Sequence, residues 1–358
     1  MNIKLVKSVG CLMLVALGMV SVPASATLMV RAAFQDSALS IDGATNGAAS
    51  GSLQVDTPAG ATVTKAFLYT ASTWAAANSG SVTLAGNTFN VGGSEDLGLT
   101  QPDVNPANTR VYDVTSTLKP LIEGTNGLQS FSYAEGGNLD GAVLAVVYSH
   151  ASTVGGTAII LDGELSLAGD TTTLTFDAPY TGGDVFMSVA SSFSYSGGGT
   201  TPVNNQRTTI HVTTDSTASR ELSNCAGGND DGNFVASNGQ LITVGGVGDD
   251  PSNPNVGCEG GAGDDEFYNL GEGNDIDPTA FLQNGDTFVS LETVNPSNDD
   301  NVFFVAIASD ITISQVDDEV IDDDDDDETP PTNIPEPASL ILFALGLLSL
   351  GMVRRIRS

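Results

Sequence analysis

The sequence predicts an all-β protein, an antiparallel β-sandwich of jelly-roll type built either as one large sandwich or as two smaller ones. The 358-residue chain contains 41 glycines, and only 15% of its residues are charged. Short runs rich in Val, Thr and aromatic residues recur between turn residues, and no segment between the termini keeps a helical period over three turns. Since Gly, Thr, Ser and Val disfavour helix interiors, strands are the economical interpretation.

The first 26 residues have the features of a secretory signal peptide. Lysines precede an apolar run at 9–20, and the small residues Ala24 and Ala26 form a cleavage site before Thr27. The run is short for a membrane anchor, which is the alternative interpretation. We therefore expect an N-terminal signal helix that signal peptidase removes, with Thr27 as the first mature residue.

Residues 27–197 are predicted to form a β-sandwich domain. Residues 81–91 read as a hairpin with its turn at Ala85-Gly86-Asn87, and 109–122 alternates before a helical turn. The run at 140–150 is almost continuously apolar, which indicates a central strand covered on both faces. The other strands of this half are predicted at 61–74, 128–136, 157–165, 171–178 and 184–196.

Residues 198–315 form a second β region, in which long Gly/Asp/Asn loops separate the strands. It is either a second domain or the remaining strands of the first sandwich. Cys225 and Cys258 lie in these loops, and in an exported chain they are predicted to form a disulfide; two free thiols are the alternative. The strands of this half are predicted at 208–214, 240–246, 286–294 and 301–314.

Acidic residues recur in the loops of the second region, and carboxylates beside Gly and Asn suit Ca²⁺. The run 260–268 matches a Ca²⁺-binding nonapeptide pattern, in which Phe267 would point into the core. Such motifs work in stacked repeats, and one copy with a fragment is present here. We predict no cofactor, with Ca²⁺ as the alternative and with these candidate ligands: Asp264, Asp265, Asp275 and Asp277.

Enzyme chemistry has little support in the sequence, and we predict a protein that is not an enzyme. The two histidines, His150 and His211, end β-like runs, and no nucleophile elbow, His-rich metal motif or P-loop is present. A secreted hydrolase with a carboxylate pair is one alternative. A carbohydrate-stacking platform of Trp74 and Tyr69 is another, although core aromatics explain both residues.

The net charge of -33 excludes nucleic acid as a partner, because phosphates would be repelled. Residues 316–334 contain a run of Asp followed by prolines. Such a segment cannot bury apolar surface and repels itself, and so it predicts an extended linker.

The C-terminal segment 335–358 begins with Pro335, Glu336 and Pro337. Two prolines keep this stretch extended and accessible. About 16 apolar residues follow, which would span about 24 Å as a single transmembrane helix. The chain then ends in a basic cluster that the positive-inside rule places in the cytoplasm: Arg354, Arg355 and Arg357.

These three features, in this order, resemble the PEP-CTERM sorting signal of Gram-negative bacteria. The resemblance implies an inner-membrane intermediate, cleavage by an exosortase near Pro-Glu-Pro, and release to the cell surface or the extracellular space. It also implies an association with exopolysaccharide and biofilm matrix. The same tail is known as an ice-binding protein C-terminal domain, a label for the tail that does not indicate ice binding.

The order of apolar runs in the body resembles a β-sandwich module of secreted bacterial proteins. The runs are "KAFLYT", "DVTSTLKPLI", "DGAVLAVVYS" and "IILDG". This likeness implies fold and location only, and generic core-strand composition explains it equally well. We therefore predict a non-enzymatic surface or matrix protein. A Ca²⁺-dependent carbohydrate-binding or adhesion module is the first alternative, and a secreted hydrolase is the second.

Overall fold

The computed structural model describes most of the body of the chain, in these ranges: 28–44, 49–73, 80–100, 107–165, 169–192, 208–226, 242–253, 256, 266–294, 301–317 and 319–321. The predicted signal helix, sorting segment and transmembrane helix lie outside these ranges. Within the described residues, no helix is both long and apolar enough to cross a bilayer.

Strands dominate the described residues, which also contain the helix α1 (Thr115–Ile122) and a 3₁₀ turn at Val91–Gly93. The strands are β1 (Met29–Gln35), β2 (Ser37–Ala44), β3 (Ser50–Thr57), β4 (Thr62–Thr73), β5 (Val82–Leu84), β6 (Asn87–Phe89), β7 (Glu95–Thr100), β8 (Ala107–Asp113), β9 (Gly127–Glu135), β10 (Gly141–Ser149), β11 (Thr157–Asp162), β12 (Asp170–Phe176), β13 (Val185–Ser192), β14 (Thr208–Thr214), β15 (Arg220–Ala226), β16 (Ile242–Val244), β17 (Phe267–Asn269), β18 (Phe288–Val294), β19 (Asn301–Ser309), β20 (Ile313–Val316) and β21 (Glu319–Val320).

The strands form four antiparallel sheets that stack as four layers. Sheet I has the order β3-β9-β5-β6, and sheet II has the order β2-β10-β4-β8-β7. Sheet III has the order β1-β11-β19-β13-β16, with β17 also paired to β13, and sheet IV has the order β15-β14-β18-β12-β20-β21. Hydrophobic clusters fill the three interfaces between successive layers. The prediction of an all-β antiparallel fold is therefore confirmed.

The middle interface joins sheet II to sheet III and makes both sheets fully internal. On β10, Leu144 and Val146 pack toward sheet I, while Val143 and Ala145 pack toward sheet III. Side chains alternate between the two faces of a strand, and so a strand covered on both faces must be apolar at every position. This explains the continuous apolar run at 140–150 and confirms the prediction of a doubly covered strand.

A buried polar cluster also ties sheet II to sheet III. Asp162, at the end of β11, is 4% exposed and accepts a hydrogen bond from Tyr69 Oη of β4 at 2.9 Å. Arg31 of β1 donates to both oxygens of Asp162, at 2.6 and 3.1 Å, and to Glu95 of β7 at 2.6 Å. We call these four residues the inter-sheet clamp. Burial raises the pKa of Asp162, and hydrogen bonds from Arg31 and Tyr69 oppose that shift.

The chain is divided unequally between the layers. Strands β2–β10 build sheets I and II, whereas β1 and β11–β21 build sheets III and IV. Strands on both sides of residue 197 pair in sheets III and IV, and so a break between sheets does not occur there. The predicted domain boundary at 197/198 stays a prediction. The predicted linker at 316–334 begins inside sheet IV, because Val316 and β21 pair there.

The sequence interpretation missed β1–β3, which have no continuous apolar run. It also treated 301–314 as one strand, whereas β19 ends at Ser309 and β20 begins at Ile313. The short turn between them lets the chain pass from sheet III to sheet IV. Cys225 was expected in a loop, but it lies in β15. The Arg220–Ala226 segment was overlooked because its polar residues hide the strand pattern.

The hairpin predicted at 81–91 is confirmed, with a two-residue turn between β5 and β6. Ala85 and Gly86 have φ values of 50° and 78°. Two successive positive φ angles are typical of a type I′ turn, which strongly prefers Asn-Gly. A left-handed conformation costs an alanine about 1 kcal/mol. Ala85 is therefore a locally strained position in an otherwise favourable turn.

We predict that Ala85→Asn raises the free energy of unfolding by about 0.5–1 kcal/mol, because asparagine tolerates the left-handed conformation. Urea unfolding at fixed pH measures the change. Gly86→Ala is the matched opposite, since it places a Cβ at the second positive φ, and it should lower stability by about 1 kcal/mol. A loss of stability in the asparagine variant would contradict the assignment of turn strain.

A half-buried carboxyl group lies in sheet I. Glu135, at the end of β9, accepts a hydrogen bond from Tyr133 Oη. Burial raises the pKa of Glu135 to about 7; the Tyr133 hydrogen bond lowers it, and the charge of Asp140 raises it. The folded chain therefore holds this proton more tightly than the unfolded chain does. Its contribution to stability is complete below the ordinary pKa of glutamate, near 4.3, and is lost as the pH rises through about 7.

We predict that the urea midpoint of the protein falls between pH 5 and pH 8 by more than that of Glu135→Gln. Glutamine keeps an acceptor for Tyr133 but has no proton to lose. Measuring both midpoints at both pH values isolates the contribution of Glu135 from that of other acids. Equal pH dependence in the two proteins would show that Glu135 titrates normally.

Candidate functional site

A cleft of about 430 Å³ opens between the outer edge of β2 and strands β13, β17 and β19. It lies where the side chains at the middle interface change from bulky to small. Phe304 of β19 fills that interface, but the next residues on the same face are Ala306 and Ala308. Ser188 of β13 lies beside them. The cleft thus follows from the small residues of the "FVAIAS" run.

Aromatic rings form the walls of this cleft. Phe186 of β13 and Phe267 of β17 are both half-buried, with ring centroids 5.7 Å apart and planes tilted by 33°. Tyr148, at the end of β10, contributes a third ring. Burial raises the pKa of Tyr148, and the nearby Asp56 carboxylate raises it further. The phenol therefore stays protonated at neutral pH and can donate a hydrogen bond.

A glycine-rich loop closes one end of the cleft. Val247 N donates to Ile41 O of β2 at 2.8 Å. A Cβ on Gly246 would lie 2.1 Å from that same Ile41 oxygen, and one on Gly245 would lie 2.5 Å from Phe267 Cβ. Only glycine lets the loop approach the edge of β2 this closely. The loop thereby positions Asp249, whose Oδ2 accepts a hydrogen bond from Gly246 N at 2.6 Å.

The charged side chains among the described residues that line the cleft are all acidic. Asp56, at the end of β3, is exposed, and Asp249 is half-buried. The described residues that line the cleft include no Lys, Arg or His. Aromatic faces bind apolar surfaces and cations, and carboxylates accept hydrogen bonds from ammonium or hydroxyl groups. The arrangement is therefore suited to binding a ligand with a ring-sized body and hydrogen-bond donors.

The predicted Ca²⁺ ligands are described only in part. Asp264 and Asp265 lie outside the described residues. Asp275 Oδ1 accepts a hydrogen bond from Val256 N, and Asp277 Oδ1 accepts one from Thr279 N, both at 2.9 Å. The Thr279 hydrogen bonds lower the pKa of Asp277. In the described ranges, no group of three or more His, Cys, Asp or Glu could hold a metal ion. A Ca²⁺ site stays a prediction.

The nonapeptide interpretation of 260–268 is wrong about the one position that the structure tests. Phe267 was expected in the core, but its ring is half-buried in the cleft, and Tyr268 is the fully buried residue. Strand β17 pairs antiparallel with β13. Stacked nonapeptide repeats would instead form parallel strands. The alternation was assigned to the wrong face, because nothing in the local sequence reveals which sheet β17 joins.

Three other candidate residues, His150, His211 and Tyr69, lie apart from the cleft lining. His150 Nδ1 lies 2.7 Å from Ser152 Oγ in the turn after β10, and His211 Nε2 lies 3.9 Å from Glu221 Oε2. Tyr69 is fully buried in the inter-sheet clamp and cannot serve as a stacking platform. Trp74 lies outside the described residues.

The residues predicted for processing also lie outside the described ranges: Ala24, Ala26, Thr27, Pro335, Glu336, Pro337, Arg354, Arg355 and Arg357. The cleft residues were missed in the sequence because they come from strands that are distant along the chain. The "VGGVGDD" run at 244–250 was the one available signal, since consecutive glycines after a strand indicate close approach of the backbone.

Comparisons with known proteins bear on both the body and the tail. No curated protein matches the chain. One solved structure that aligns with this chain is titled "Life in the extremes: atomic structure of Sulfolobus Turreted Icosahedral Virus". The alignment has 10% sequence identity and a TM-score of 0.17, and it covers 77% of this chain and 92% of that chain. A TM-score this low carries no argument about fold or function.

Two family matches are informative. The PEP-CTERM protein-sorting motif matches residues 333–357, which confirms the prediction for the tail. The motif identifies an exported protein that is processed in the cell envelope at its C-terminus, and it implies an exosortase as the processing partner. The family described as "Protein of unknown function (DUF3344)" matches residues 31–259, more than half of the chain. The chain therefore belongs to the DUF3344 family and carries a PEP-CTERM sorting motif at its C-terminus.

Proposed function

We propose that this protein is a non-enzymatic component of the cell surface or extracellular matrix of a Gram-negative bacterium. The sorting motif at 333–357 carries the proposal. In this proposal the C-terminal helix holds an inner-membrane intermediate, exosortase cuts near Pro335, and the body then reaches the surface, in contact with exopolysaccharide.

The ends of the folded body support this pathway. Leu28 is 5% exposed, and its backbone N donates to Asp170 Oδ2 at 2.8 Å. Leu28, the second residue after the predicted signal peptidase site, is therefore already packed into the body. At the other end, Ile321 N donates to Ser314 O at 2.9 Å, and an acidic run follows in the sequence before the motif. Self-repulsion in that run favours an extended linker that would keep the cleavage site away from the body.

We predict that protein recovered from the outside of its native cells lacks residues 1–26 and those after about Pro335. Intact mass spectrometry measures this directly, and cells without exosortase provide the comparison. Those cells should retain the full tail on membrane-bound protein. Extra mass at the new C-terminus would report a glycan or an attachment to the matrix. A full tail on exported protein from normal cells would contradict sorted processing.

A disulfide between Cys225 and Cys258 is part of the proposal, since export exposes the chain to an oxidising compartment. Cys258 and the side chain of Cys225 lie outside what the structure describes. The nearby backbone gives support: Asn224 N donates to Val256 O at 2.9 Å. Asn224 and Val256 precede Cys225 and Cys258 along the chain by one and two positions.

We predict that the exported protein resists thiol alkylation until it is reduced, and that alkylation after reduction adds two labels. On the chain-entropy account, replacing both cysteines by serine should lower the free energy of unfolding by about 4 kcal/mol. Replacing only one cysteine should lower it by a similar amount and leave one reactive thiol. Labelling of both cysteines without reductant would show that they are free thiols.

A further inference from the structure

We propose that the cleft at the edge of β2 binds an organic cation: an ammonium group carried on a ring-sized body with an apolar face. An amino-sugar unit and a cyclic amine share this chemistry. The cleft lies in the folded body, away from the sorting motif. Its ligand can therefore be tested independently of where the protein is processed.

Shape and size support this ligand class. A volume of about 430 Å³ falls within the range of small-ligand sites and accommodates one or two six-membered rings. Phe186 and Phe267 stand side by side with their ring centroids 5.7 Å apart, and Tyr148 also lines the cleft. Aromatic faces of this kind pack against the apolar face of a ring and attract a nearby cation.

The negative charge of the cleft and of the whole chain favours a cation over a neutral or acidic ligand. Asp56 and Asp249 both line the cleft, and its described lining carries no positive side chain. The net charge of the chain is -33, which attracts cations and repels anions over a distance of about one Debye length. An ammonium group has three donors, enough to reach a carboxylate and the Tyr148 oxygen together.

Among the polar side chains of the cleft, Asp56 is the one best placed to bind the ammonium group of a ligand. Ser188 Oγ already donates to Gly245 O at 2.6 Å, and Asp249 holds the glycine-rich loop through Gly246 N. Ser40 Oγ accepts a hydrogen bond from Asp56 N at 2.9 Å, which fixes the backbone that carries the Asp56 carboxylate. Asp56 is thus positioned by its backbone while its side chain is exposed.

The test is calorimetric titration of the exported protein with matched probes. We expect a glucosamine disaccharide to bind at least ten times more tightly than its N-acetylated counterpart, which has the same rings but no charge. Cyclohexylamine separates the two sources: tighter binding of the disaccharide indicates an amino sugar, and tighter binding of the amine indicates a small cyclic amine. Binding of the charged and neutral disaccharides with equal affinity, or no binding of either the glucosamine disaccharide or cyclohexylamine, would overturn the proposal.

Variants locate the binding to this cleft. Asp56→Asn should weaken binding of the preferred cation at least threefold. Asp177→Asn makes the same change in charge at an exposed position outside the lining and should leave affinity unchanged. Phe267→Leu keeps an apolar side chain but removes the ring, and it should also weaken binding, while thermal unfolding verifies that the variant is folded. Equal losses in Asp56→Asn and Asp177→Asn would assign the effect to net charge and refute the site.

Discussion

The packing of sheet II against sheet III is the constraint on which the remainder of the structure depends. Two antiparallel sheets normally leave their outer faces to solvent. Here each of these two sheets is covered on both sides, and so β10, β11 and β19 must be apolar at almost every position. The inter-sheet clamp adds a polar contact to this interface, where Arg31 compensates the buried charge of Asp162. Within a buried pair of this kind, the desolvation of both groups offsets much of the attraction between them.

The same interface accounts for the candidate site. Where Phe304 gives way to Ala306 and Ala308, sheets II and III no longer fill the space between them, and the cleft results. Its aromatic walls are half-buried side chains, Phe186, Phe267 and Tyr148. The glycines at 245 and 246 fold the loop onto the β2 edge and bring in Asp249. The cleft thus forms at the edge of the core, where small side chains leave space between the two sheets.

The sequence predicted those features that depend on neighbouring residues. The apolar run at 140–150 identified a buried central strand, the alternation at 208–214 identified β14, and three ordered features identified the sorting motif. Features that depend on distant partners could not be predicted. The edge of β2 becomes a cleft wall only because β17, more than 200 residues later, joins β13 beside it. Phe267 was misplaced for the same reason, since its face is defined by that pairing.

The position of β1 in sheet III has a consequence for the timing of folding. This strand starts two residues after the predicted signal peptidase site, but it pairs with β11, which in turn pairs with β19 at 301–309. When a chain crosses a membrane with its N-terminus first, β1 crosses at the beginning and β19 crosses near the end. Sheet III is complete only after nearly the whole body has crossed. Such long-range closure is slow, and so sheet III is completed later than sheets I and II, whose strands all lie between residues 37 and 149.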